Sequence, residues 1–142
     1  MRKLSIFLLC MALILTPTIT GKAMNRDFPT KTKATKEAVL EDAVINFLEP
    51  QMFLAVDDHY GDRTGISFDC ERVISIKKLG HPGSWDFEAQ LQGITYKGAH
   101  DYLDVFTVTI KKDSTTGDKW VMQNYKTRKY KQVDKNECRD PA

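Results

Sequence analysis

The spacing of apolar residues changes once along this chain, and that change limits what it can fold into. Between Thr35 and Gly61 they return every three or four positions: Leu40, Ala43, Val44, Phe47 and Leu48, then Met52, Phe53, Val56 and Tyr60. Such spacing paints one stripe down a helix. Glu41, Asp42, Asn46 and Glu49 fall on the other side. Thr35 is placed to accept a hydrogen bond from the first turn, and Gly61 to end the helix in a left-handed conformation. Pro50 lacks a backbone donor, so it either kinks one long helix or opens a second. From Ile66 onward the spacing is two, the mark of strands with one apolar face. Ile66 and Phe68 form one set, and Ile74 and Ile76 another with Val73 on the opposite face. The change of face around Cys70–Arg72 predicts a bulge or two short segments. Trp85, Phe87, Ala89 and Leu91 alternate next, until Gly93 breaks the pattern. Phe106, Val108 and Ile110 follow after the loop "YKGAHDY", and "WVMQNYK" closes the series. Between strands, "GHPGSW" predicts a type II turn with Pro82 second and Gly83 third. "KKDSTTGDKW" reads as a hairpin connection ending near Gly117.

A helical stretch followed by grouped strands is an α+β order, not a βαβ one. The economical fold packs an N-terminal helix, kinked or split at Pro50, on a four-stranded antiparallel meander. Its outline resembles the cystatin-like or NTF-two-like roll. Such scaffolds carry inhibitors, enzymes and plain binders, so the outline assigns no activity.

The first residues carry a separate message. Arg2 and Lys3 precede an apolar run from Leu4 to Leu15, and Gly21-Lys22-Ala23 supplies small residues around a cleavage point. This is the pattern of a secretory signal peptide over residues 1–23. The run is too short for a bilayer-spanning helix, so no stable membrane anchor is expected after cleavage. Cys10 lies inside the run behind Leu9, whereas a lipidated cysteine follows a small residue. Residues 24–34 are polar and include Pro29, as in a flexible arm; residues 35–126 form the α+β domain; residues 127–142 form a basic, irregular tail.

Cleavage changes the arithmetic. The chain has 21 basic and 19 acidic residues. Without Arg2, Lys3 and Lys22 the balance is near −1, which leaves no bulk electrostatic case for nucleic acid. Charge is nevertheless polarised, acidic from Glu37 to Asp104 and basic from Lys111 to Arg139. Of three cysteines, two would remain, Cys70 and Cys138. An even pair in an exported chain reads as a disulfide. Its loop of about 69 residues is worth roughly 4 kcal/mol in the chain-entropy treatment. The expected location is secreted or extracellular, including association with the cell surface.

Four groups of residues invite a functional reading. In "AVDDHYGDR", Asp57, Asp58 and His59 sit near the negative end of the helix. That position suits a charged histidine but not two acids; Arg63 and Arg72 are available to compensate. Asp58 could work as an acid–base pair with Asp101 if the carboxylates stood about 5–10 Å apart. His59, His81 and His100 lack the close spacing of metal ligands, so neither a metal nor another cofactor is expected. Finally Lys126, Arg128, Lys129 and Lys131, interleaved with Tyr125 and Tyr130, could meet an anionic envelope polymer. Equally, lysines on an edge strand guard it against unwanted pairing.

The segments "EDAVINFLEPQMFLAVDDHYG", "RVISIKKLG", "FEAQLQGITYKGAHD" and "DVFTVTI" resemble a family of small exported proteins from Gram-positive spore-formers. The family is catalogued as domain of unknown function 3888. The likeness runs from about Glu37 to Lys126. It includes Glu41 and Asp42, Pro50, and the acid-aromatic-glycine helix end, with His59 standing where the family carries tyrosine. The resemblance implies no assigned activity and no catalytic residues. The reading reached here is an exported, non-catalytic binding domain, with an envelope polymer or an extracellular protein as partner. The alternative is a small hydrolase or metal-assisted enzyme built on Asp58, His59 and His100.

Overall fold

The computed structural model describes residues 35–99, 101–139 and 141–142. The signal peptide and arm expected over residues 1–34 lie outside the described residues. One helix, α1 (Lys36–Tyr60), precedes four strands: β1 (Ile66–Lys78), β2 (Phe87–Lys97), β3 (Asp101–Lys112) and β4 (Val121–Lys129). The strands form one antiparallel sheet in chain order, and α1 lies across one of its faces. The architecture is the α+β meander expected from the change in spacing. Among the described residues no helix is long and apolar enough to cross a membrane.

The helix is continuous through Pro50. Thr35 caps it by accepting the Ala38 N–H, and Gly61, at φ 76°, ends it with its N–H on the Asp57 carbonyl. The buried line is not the expected stripe, however. Ile45, Leu48, Met52, Ala55 and Val56 face the sheet, while Leu40 is 55% exposed and Phe47 67%. The apolar arc of α1 is wider than its contact with the sheet, so one border seals the core and the other stays open.

Ala89, Leu91, Phe106, Val108 and Ile110 complete the core. β1 follows an irregular path to reach it. Its pairing with β2 shifts between Asp69 and Arg72 and again between Val73 and Ser75. The first shift is the anticipated bulge. There Cys70 takes φ 55°, a costly region for a residue with a Cβ, while the Asp69 carboxylate accepts its N–H. The second shift was not anticipated. It puts Val73 and Ile76 opposite Leu91 and Ala89, on the same face, and leaves Ile74 41% exposed.

Four more expectations are corrected. His81 and Ser84 close the "HPGS" turn, but Gly83 lacks the positive φ that type II requires; Gly80 carries it instead, at 70°. Gly93 does not end β2. It sits inside the strand because Phe68 lies over it: a Cβ there would stand 2.7 Å from the Phe68 ring and 3.2 Å from Met52. Trp85 precedes β2 and is 77% exposed. Finally, β4 runs to Lys129, beyond the expected Lys126, and the tail folds into a 3₁₀ turn over Gln132–Glu137. Cys70 and Cys138 are joined, with Cα atoms 4.8 Å apart. This link holds the tail against the sheet face that α1 does not cover.

Candidate functional site

The "DDHYG" end of α1 packs onto β3 and β4. Tyr60 points inward and donates to the Asp104 carboxylate at 2.5 Å, with the Thr95 hydroxyl 3.2 Å away. Asp104, on β3, is 3% exposed. Lys129 of β4 brings its Nζ to 3.1 Å of that carboxylate, and His59 Nε2 stands 3.9 Å from it. The Thr95 hydroxyl also bridges the Asp104 backbone, accepting from its N–H at 3.2 Å and donating to its carbonyl at 3.1 Å. Burial, reinforced by the neighbouring carboxylate, pushes the Tyr60 hydroxyl up to about 12. His59 lies edge-on to Tyr60 and Phe106, with ring centres 4.6 and 5.4 Å apart.

A buried carboxylate is tolerated when donors surround it. Here they come from two elements, α1 (Tyr60) and β4 (Lys129), while Thr95 of β2 holds the Asp104 backbone, so Asp104 fastens the helix end to the sheet. Sequence reading missed this centre. Its one trace is Asp104 at an inward position of an alternating strand, two before Phe106.

The candidates proposed from sequence fall elsewhere. Asp58 accepts from the Tyr125 hydroxyl at 2.7 Å, on the exposed rim. Asp57 pairs with Arg63 at 3.6 Å, whereas Arg72 reaches Gln92 and Glu137. Asp101 opens β3 and is exposed. His81 lies in its turn and accepts from Gly83 N–H. His100 lies outside the described residues. Among the described residues no group of three or more His, Cys, Asp or Glu side chains is placed to hold a metal ion.

The four basic residues of the tail do not form one face. β4 alternates, so Lys129 joins Tyr125 and Thr127 on the helix side, while Lys126 and Arg128 point the other way. Arg128 is held by both oxygens of Asp134, at 2.7 Å each. Lys131 is exposed and follows the strand.

Two of the cavities among the described residues bear on function. One, of about 440 Å³, lies under the disulfide between α1 and β1, lined by Asp42, Glu49, Asp69, Glu71 and Arg139 among others. Arg139 binds Asp42 and approaches Glu41 at 3.4 Å. Glu71 keeps one buried oxygen without a hydrogen bond. Burial, then the charges of Glu49 and Asp69, push its carboxyl up to about 7.

The other cavity is a groove of about 470 Å³, almost wholly apolar, along the open border of α1. Leu40, Val44 and Phe47 form one wall; Ile76, Phe87 and Trp120 form the other. Phe87 and Trp120 stack with centres 6.2 Å apart. The strand register explains its charged end. Phe87 pairs with Lys78 on one side and Lys112 on the other, so all three share a row on the helix side of the sheet.

A family model described as "Protein of unknown function (DUF3888)" matches residues 40–132. The chain belongs to this family. No curated protein and no solved structure matches. The matched segment begins at Leu40, the first wall residue of the groove, and takes in the whole sheet. Both the Asp104 centre and the groove are therefore parts of the DUF3888 region. Cys138 and Arg139 lie beyond it.

Proposed function

We propose that this is an exported, non-catalytic binding domain acting at or outside the cell surface, with the groove beside α1 as its working surface. One observation carries the reading. Leu40, Phe47 and Ile76 are each at least half exposed around one apolar depression, although the same chain seals the rest of its core to near-zero exposure. Val133, Leu54 and Ile74 are exposed singly elsewhere, whereas these three share one depression with Val44, Phe87 and Trp120, and a contiguous apolar patch marks a contact surface. The partner must bring apolar groups to fill it and negative charge to meet Lys78 and Lys112. Export is supported by the leader pattern and by the disulfide, which persists in oxidising surroundings.

The groove supports this reading better than the basic tail does. Arg128 and Lys129 are engaged by Asp134 and Asp104, and the four basic residues divide between two faces. It also outweighs an enzyme at Asp58 and His59. Asp58 is bound by Tyr125, and Asp104 already receives Tyr60 and Lys129, which leaves little free acid–base capacity.

The test is co-sedimentation of the oxidised, processed protein with purified cell envelopes. Three forms are compared: the natural chain, a groove variant (Leu40→Ser with Phe47→Ser) and a tail variant (Lys126→Gln with Arg128→Gln). Loss of binding in the groove variant alone is the expected result. Loss in the tail variant alone would move the working surface to β4. Absence of binding by the natural chain at low salt would sink the reading.

A further inference from the structure

We infer that the partner of the groove is an anionic lipid surface, on which the domain lies peripherally by its open helix–sheet edge. This rests on the groove being the working surface. The first argument is charge. Lys78 and Lys112 flank Phe87 in one row, and both ammonium groups are held by neutral acceptors: Lys78 by the Pro82 carbonyl at 2.6 Å, Lys112 by the Trp85 carbonyl at 3.3 Å. Nearby lysines are neutralised instead, Lys77 by Glu88 at 3.7 Å and Lys111 by Asp113. Among the described residues neither Lys78 nor Lys112 is ion-paired, so their charge is available to anions outside the protein.

The second argument is the kind of apolar residue at that end. Trp85 is 77% exposed, two positions before Phe87, with its carbonyl held by Lys112. Tryptophan beside lysine suits the boundary between acyl chains and headgroups. The indole spans apolar and wet layers, and the lysine stem lies in the apolar layer while its charge reaches phosphate. Leu40 and Phe47 on α1, Ile76 on β1 and Trp85 on the hairpin are exposed on three separate elements. Apolar side chains spread over an edge in this way meet a fluid layer without needing a matching shape. This is the pattern of an interfacial surface, with apolar residues and cations on adjoining strips.

Each lysine near an anionic membrane adds about 1 kcal/mol, so two correspond to roughly a thirtyfold gain. The experiment uses the oxidised, processed protein with vesicles of phosphatidylcholine alone or with 30% phosphatidylglycerol. It reads sedimented fraction and tryptophan emission. Expected are binding about thirtyfold stronger to the anionic vesicles, a blue shift, and weakening at 0.5 M salt. Trp85→Ala, and separately Lys78→Gln with Lys112→Gln, should each cut binding about tenfold or more; circular dichroism confirms that they fold. Equal binding to neutral vesicles overturns the anionic assignment. Binding unaffected by these variants but lost with Lys126→Gln and Arg128→Gln overturns the surface. If groove-dependent envelope binding persists while no vesicle binds, the partner is an envelope protein or polymer; the lipid inference fails and the groove reading stands.

Discussion

The two halves of α1 have similar apolar content but differ in how much of it is sealed. Beyond Pro50, Met52, Ala55 and Val56 are fully buried, and Tyr60 is locked to Asp104. Before it, Ile45 and Leu48 hold the sheet while Leu40 and Phe47 remain open beside the groove. Hydrophobicity alone therefore does not decide burial here. The difference lies in what stands opposite. The far half meets Phe106, Phe68 and a buried acid needing donors; the near half lies beside Ile76, Phe87 and Trp120, where Lys78 of β1 and Lys112 of β3 share the row of Phe87.

This contrast can be broken at its strongest point first. Phe106 is fully buried and contacts the rings of Tyr60, Phe68 and Tyr125. Phe106→Ala should cost about 4 kcal/mol in urea unfolding. A loss under 1 kcal/mol would mean that the sealed half is not the stabilising one. Asp104→Ala comes next, at about 2 kcal/mol, because it takes the acceptor from the part-buried Tyr60 hydroxyl. The Tyr60 hydroxyl should then titrate lower, a change that ultraviolet absorbance follows.

Glu71 gives a smaller, pH-dependent effect. Its carboxyl is raised from 4.5 to about 7, so between those values the folded state holds more proton than the unfolded one. Stability must then fall as pH rises through that window. Glu71→Gln should flatten the slope and add about 1–2 kcal/mol at pH 8, after allowance for solvent. Denaturation midpoints at pH 4.5, 6 and 8 check this, and an unchanged slope would place the charge elsewhere. The smallest effect is expected at the open half. Phe47→Ser should move stability by less than about 0.5 kcal/mol while abolishing groove binding. A large loss of stability there would show that the residue is covered in solution.

The order of elements was legible because spacing reports burial directly, and here it changes once. Thr35 and Gly61 could be placed because caps use a few residue types. The detail that failed was geometric. Ile74 and Val73 exchanged faces because the second shift in β1 carries no residue signature. Gly93 looked like a breaker because its reason, the Phe68 ring lying over it, belongs to another strand. The site followed the same logic. Asp58 and His59 drew attention as neighbours in sequence, whereas Asp104, Tyr60 and Lys129 converge from positions far apart. The groove was visible only as apolar residues that a helix stripe would have buried.

The meander also has a kinetic consequence. Every strand pairs with its neighbour in the chain, so each hairpin can zip after closing a short loop. By contrast, Cys70 and Cys138 are 68 positions apart. The noncovalent fold can therefore bring the two sulfurs together before any oxidant acts. A reduced chain is expected to reach its sheet first and oxidise last, making the bond a seal on a finished fold and not a guide to it.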